Sequence, residues 1–338
     1  MKTLHSILAL TSAAVLSLTL SFEWCKQRQR SWDARMQTLR MHLLESDENG
    51  CCTQLQSWEE LPRIVQRFLD GIATLSTSPS REDDSTVDSS NMSCSSSSIT
   101  SKIRSLTIQQ EGFFSLQNAW LPFTAYQFVS ALARKPGFVW EARIAPKALP
   151  RGFQWPRVRV CDAWSNGRGH LEASLAGIIT VASMTEPDEV LLQGEMLRWL
   201  AEAPLIPTVL HPSTGIVFWH TVPNEPLQAM LSMKDPYTSL QVSLTATFDE
   251  KLGRMTTIQG LRPKACANGS GSFELAPWIG HFYNYTWQES VHFFVPTHME
   301  CGWIVDGIEE LYFKGDNVEL NYNVETLRLE QINSRQSQ

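Results

Sequence analysis

The sequence contains none of the short motifs that announce a reaction. It has no nucleophile elbow, P-loop, dinucleotide fingerprint or HExxH. That removes the usual signatures of α/β-hydrolases, nucleotide-phosphate cradles, nicotinamide enzymes and zinc proteases. No Cys-x-x-Cys pair is present, and the eight histidines (5, 42, 170, 211, 220, 281, 292 and 298) form no i,i+3 or i,i+4 couple. A metal site would have to gather ligands from distant segments, so none is expected, and no cofactor is expected either. No basic run carries interleaved aromatics and the net charge is −7, which argues against nucleic acid. The cysteines (25, 51, 52, 94, 161, 266 and 301) are scattered and do not read as a disulfide scaffold; Cys161 and Cys301 fall in predicted strands as buried thiols. What the chain does have is aromatic mass. Twelve tryptophans and fifteen phenylalanines in 338 residues suit a β-rich core and equally suit the walls of an apolar pocket.

The most informative stretch runs from Pro187 to Pro207. Placed at helical pitch, Glu189 to Ala203 forms one helix between two prolines. Leu192, Met196, Trp199, Leu200 and Ala203 share one face, and Val190, Gly194, Leu197 and Ala201 carry the apolar surface round. A helix apolar over so much of its circumference is enclosed, and the flanking segments read as strands, so it is expected to fill the hollow of a curved sheet. Only Glu195, Arg198 and Glu202 form a charged stripe. The expected arrangement is a solvent-facing ladder of i,i+3 and i,i+4 pairs; the sharper alternative is a polar patch facing a cavity.

Taken in order, the chain divides into five parts. Residues 1–35 hold the nearly uncharged run Leu4 to Phe22, long enough to span a bilayer, followed by the basic flank Lys26, Arg28, Arg30 and Arg35. The expectation is a single-pass membrane anchor or uncleaved signal. Three sequons (at Asn91, Asn268 and Asn284) and the acid-free N-terminus leave secretion or organelle targeting as alternatives. Residues 36–75 are N-terminal helices: Trp32 to Leu44 is a short amphipathic candidate, and Leu61, Ile64, Val65, Phe68, Leu69 and Ile72 recur at helical spacing behind Pro62. Residues 76–101 are a serine-rich stretch without apolar anchors, read as a disordered linker. Residues 102–322 are strands at hairpin spacing. Phe138, Trp140, Ala142 and Ile144 face one way and Val139, Glu141 and Arg143 the other. Asn166-Gly167 marks a type I′ turn inside a segment, Trp155 to Ala182, read as two strands. Residues 323–338 are a polar tail. Sequential short-range hairpins with a few segregated helices make the class α+β: a curved, mostly antiparallel sheet, an open half-barrel, enclosing one or two helices.

Four landmarks recur in order: LPRIVQRFL (61–69), WLPFTAYQF (120–128), PGFVWEARI (136–144) with DAWSNGRGHL (162–171), and GEMLRWLAEAPLIPTVL (194–210). PWIGHFYNY (277–285) with VPTHMECGW (295–303) is a weaker fifth. On these the chain resembles an uncharacterised, mostly bacterial domain family without an assigned activity. The fold implied is similar to the half-barrel of periplasmic lipoprotein-carrier proteins, an analogy that transfers no function. The chain departs from the family at 76–101 and at the CANGSGS loop, both of which read as surface insertions.

Candidate site residues are drawn from the landmarks: Trp140, Glu141, Asp162, Glu195, Arg198, Trp199 and Glu202. Carboxylates near arginines suit acid/base chemistry if burial separates their pKa values. The more common arrangement is an ion-pair network tying helix to sheet. The functional expectation is a membrane-associated, non-enzymatic module binding an apolar small molecule, a lipid, in the hollow. The alternatives are an enzyme acting on an apolar substrate through Glu195, Arg198 and Glu202, and a structural or interaction domain with a filled core.

Overall fold

A computed structural model describes residues 2–44, 55–73, 103–116, 119–144, 158–175, 178–184, 189–266 and 273–323, with side chains from Glu23 onward except at 181, 182 and 184. The serine-rich stretch, Cys51–Cys52 and residues 324–338 lie outside the described residues.

Among the described residues, thirteen strands form one antiparallel sheet. The first six are β1 (Ser105–Leu116), β2 (Ala119–Leu132), β3 (Lys135–Ile144), β4 (Val158–Ser165), β5 (Arg168–Leu175) and β6 (Ile179–Met184). The remaining seven are β7 (Val217–Thr221), β8 (Gln228–Lys234), β9 (Gln241–Phe248), β10 (Met255–Ala265), β11 (Phe273–Gln288), β12 (Phe293–Val305) and β13 (Ile308–Tyr322). The spatial order is β6-β5-β4-β3-β2-β1-β13-β12-β11-β10-β9-β8-β7. Two meanders therefore grow outward from a central seam, where Leu106 pairs with Tyr322 and Phe114 with Phe313. The outer strands β6 and β7 stay unpaired with each other, so the sheet curves without closing.

This topology dictates where the helix must go. After β6 the chain stands at one edge of the sheet, and β7 begins the other. The connection crosses the concave face as α3 (Glu189–Ala201), then through short 3-10 turns at Ala203–Leu205, Pro207–Leu210 and Pro212–Thr214. Pro204, Pro207 and Pro212 prevent α3 from continuing, because each lacks the amide that the next helical turn would use. The enclosed helix expected from the sequence is thus present and touches β3, β4, β5, β9 and β10. Trp199 is 1% exposed, donates Nε1–H to the Ser130 carbonyl at 3.3 Å, and meets Trp164 edge-to-face with centroids 5.8 Å apart.

A second helix, α2 (Arg63–Ile72), follows Pro62 and fills the other part of the hollow. Its buried residues Ile64, Val65, Phe68, Leu69 and Ile72 lie on one face, as the spacing predicts, against β8, β12 and the 3-10 turn at Pro207–Leu210. The first helix, α1 (Lys2–Leu44), packs on the opposite, convex face of β2–β4. Trp32, Met36 and Leu43 are buried there against Tyr126, Phe128, Val139, Cys161 and Ala163. Each such side chain contributes about 1.5–3 kcal/mol as an upper estimate. Arg35–Glu172 (2.9 Å), Arg40–Glu141 (3.3 Å) and Asp33–Arg159 (2.7 Å) fasten the helix to the sheet.

Three local expectations are corrected. The short helix predicted from Trp32 is the end of one continuous helix from Lys2, because no proline or glycine interrupts the intervening polar segment. The segment read as two strands around Asn166-Gly167 is three. Asn166 (φ 52°) and Gly167 (φ 69°) make the expected tight turn, but the Ile178 amide then bonds back to the Leu175 carbonyl at 3.0 Å and sends the chain into β6. Alternation alone does not reveal such a fold-back. Finally, the charged stripe of α3 faces inward, as described below. Among the described residues no helix is long and apolar enough to cross a membrane; the run Leu4 to Phe22 is helical within α1, but its side chains are not described.

Truncating Trp199 to Ala removes a fully enclosed ring and should destabilise the protein by about 3–5 kcal/mol in urea unfolding. A loss below about 1 kcal/mol would show that the ring is not packed.

Candidate functional site

Between α3 and the strands that face it, the hollow is not filled. A cavity of about 390 Å³ opens there, walled by apolar residues from both meanders and the seam. Strand alternation supplies the walls: Trp140 and Ile144 from β3, Val158 and Val160 from β4, Leu171 and Ala173 from β5, Ile258 from β10, Trp278 and Phe282 from β11, Met299 from β12. Phe114 and Leu116 on β1 and Tyr312 and Phe313 on β13 contribute from the seam. The size falls in the range of ordinary small-molecule sites, about 300–1,000 Å³.

Asp162, Arg198 and Glu202 sit on one wall. Arg198 of α3 pairs with Asp162 of β4, and its Nε lies 3.1 Å from Glu202 Oε1 one turn along the helix. Gln127 of β2 donates to the other oxygen of Glu202. The guanidinium also lies over the rings of Phe138 (4.8 Å) and Trp140 (4.7 Å). Burial opposes the charge on Arg198, but Glu202 and Asp162 outweigh it and raise its pKa further. This is an ion-pair network tying helix to sheet, in which each charge has a partner. It replaces the solvent-facing ladder expected from the helical wheel: Glu195 is 6% exposed, and Arg198 and Glu202 line the cavity, because sheet from both meanders packs against the helix.

Glu195 lies behind this network rather than on the cavity surface. Its carboxyl is pushed well above the ordinary value, first by burial and then by the charge and hydrogen bond of Asp162, with Arg198 and Arg262 opposing. Glu195 Oε2 and Asp162 Oδ1 are both shielded from solvent and otherwise lack a hydrogen-bond partner among the described residues. A proton carried on Glu195 and donated to Asp162 would give both oxygens a partner.

The sequence-chosen residues therefore separate into groups. Trp140, Asp162, Arg198 and Glu202 meet at the cavity, with the Trp140 ring fixed by its indole N–H on Gln110 Oε1 at 2.8 Å. Glu195 and Trp199 are packed beneath it. Glu141 points to the convex face, as strand alternation from Trp140 requires, and pairs with Arg159 and Arg40. Burial pushes the Glu141 carboxyl up, but Arg159 and then Arg40 prevail and hold it below its ordinary value. Cys161 is buried on that same face; Cys301 is partly buried and lines the cavity.

Sequence reasoning missed Arg262, Trp278 and Tyr312, which complete the far wall. Trp278 Nε1 donates to the Tyr312 hydroxyl at 2.9 Å, and Arg262 lies 4.7 Å over the Trp278 ring. The available signal was parity: Ile258, Gly260 and Arg262 share one face of β10, so the arginine follows an inward isoleucine. Among the described residues no group of three or more His, Cys, Asp or Glu is placed to hold a metal ion.

The model of a family of unknown function, DUF6920, matches residues 92–322. The chain belongs to the DUF6920 family. That agrees with the resemblance read from the landmarks and brings no assigned activity with it. No match was found among curated proteins. Two solved structures are similar at low identity. One is a putative outer membrane lipoprotein-sorting protein domain from Vibrio parahaemolyticus, 8% identical with a TM-score of 0.39 over 71% of this chain and 95% of that one. The other is a DUF1329 family protein from Desulfovibrio piger, 9% identical with a TM-score of 0.32 over 67% of this chain and 88% of that one. Both likenesses are too distant to carry an argument about chemistry.

The Glu195–Asp162 pair predicts a pH dependence. A carboxyl whose pKa is raised by folding binds its proton more tightly in the native state. Its contribution is therefore complete below the ordinary value of 4.5 and is lost as pH rises through the native value. Glu195→Gln keeps a donor toward Asp162 and cannot ionise. The variant should gain stability relative to the parent as pH is raised from about 5 to 8 in denaturant titrations. A deficit that widens with pH would contradict the shared proton.

Proposed function

We propose that the protein is a membrane-associated, non-enzymatic module that holds an apolar molecule, a lipid, in the hollow of its half-barrel. The observation that carries this reading is the cavity itself. A crossing helix and two sheet halves enclose about 390 Å³ whose walls are mostly aliphatic and aromatic. A filled core would have brought those walls together, since voids of this size forfeit dispersion contacts along their whole lining.

The polar groups support binding over catalysis. Arg198 is paired with Asp162 and Glu202, and Glu195 sits behind them, so the charges at the cavity are engaged in tying helix to sheet. The membrane part of the proposal rests on the run Leu4 to Phe22, which continues in one helix into the docked segment Trp32 to Leu44. An anchor in that run would hold the half-barrel near the bilayer through a helix rather than a loose tether.

Native mass spectrometry of the full-length chain extracted from membranes should show a co-purifying lipid-sized adduct. Ala173→Trp, which places a ring in the cavity from β5, should remove the adduct while leaving the circular dichroism spectrum unchanged. An adduct-free parent, or an adduct retained undiminished by a folded Ala173→Trp, would contradict the proposal.

A further inference from the structure

The cavity contains two arginines with different circumstances. Arg198 has two carboxylate partners. Arg262, on the opposite wall, has none within ion-pair distance among the described residues; its Nη2 donates to the Gly194 carbonyl of α3 at 3.1 Å. Its Nε is shielded from solvent and without a hydrogen-bond partner among the described residues. Glu195, the buried carboxyl whose charge Arg262 would favour, makes no ion pair with it, and burial together with Asp162 pushes that carboxyl well above its ordinary value. Glu274, the next carboxylate in register, is exposed and stands opposite Lys264. Glu300, which also lines the cavity, is paired with Lys314 at 2.9 Å. A guanidinium set into an apolar wall without a counter-charge is unfavourable unless something supplies one.

The side chain is also held ready. Trp278 stacks beneath the guanidinium at 4.7 Å, and the Trp278 indole is fixed by its bond to Tyr312. The ring gives the guanidinium a flat support. Arginine binds carboxylate and phosphate oxygens through two parallel N–H groups of that plane.

Building on the cavity reading above, we propose that the ligand is an oxyanion-headed amphiphile whose carboxylate or phosphate is bound by Arg262, with its chain lying between Trp140 and Trp278. Arg262 then selects the head group, and Arg198 with its two carboxylates forms a neutral wall that does not compete.

The test uses full-length protein and three probes: oleate, monododecyl phosphate and methyl oleate, with affinities measured by titration calorimetry or by quenching of tryptophan fluorescence. Both anions should bind about tenfold or more tightly than the ester. Arg262→Gln, which keeps a donor toward Gly194, should abolish that preference and leave the ester's affinity unchanged, whereas Arg262→Lys should keep part of it. Preference for only one of the two anions would identify the head group as carboxylate or phosphate and support the assignment. Equal binding of ester and anions by the parent overturns the role of Arg262 while leaving the apolar cavity standing, and needs no variant to fold. An unchanged preference in Arg262→Gln overturns it too. Binding of none of the three overturns the cavity reading and this inference together.

Discussion

The constraint on which the structure depends is the crossing of α3. Two meanders start at one seam, β1 with β13, and end at opposite edges, so a single segment must traverse the hollow between them. From Glu195 onward that segment has little access to water, because it meets sheet from both halves. Its inward charges are accommodated in place: Arg198 pairs with Asp162 and Glu202, and burial together with Asp162 pushes the Glu195 carboxyl well above its ordinary value. Breaking one member of such a network strands the others in an apolar setting, which is why these groups read as structural before they read as chemical.

The two faces of the sheet serve different ends. On the convex side, α1 covers β2–β4 with buried aromatics and three ion pairs, and Glu141 belongs to that docking surface. On the concave side, α2 and the proline-rich 3-10 turns pack one part of the hollow, while α3 leaves the remainder open. Adjacent residues on one strand, Trp140 and Glu141, thus act in separate places, one in the cavity wall and one under the N-terminal helix.

Much of this was legible in the sequence, for reasons that are local. Period-two alternation gave the faces of β3, Asn166-Gly167 gave the β4–β5 turn, and the apolar circumference of Glu189 to Ala203 gave an enclosed helix. What stayed hidden depends on contacts far apart in the chain. A helical wheel states the angle of Glu195, Arg198 and Glu202 but not what lies opposite, so the stripe was expected in solvent. The pairing of β1 with β13 joins residues more than 190 positions apart, Phe114 with Phe313 among them, and leaves no short-range trace. Arg262 was overlooked because an arginine in a strand is ordinarily assigned to the outer face; only the parity it shares with Ile258 pointed inward.

The account stands on the hollow being an occupied site rather than an unfilled gap. Anomalous diffraction from crystals grown with 12-bromododecanoic acid locates the chain terminus directly. The account predicts a bromine peak inside the hollow, within the walls formed by Trp140, Val160, Phe282 and Met299. Well-ordered crystals with no bromine in the hollow, or with bromine only on the convex surface, would contradict it.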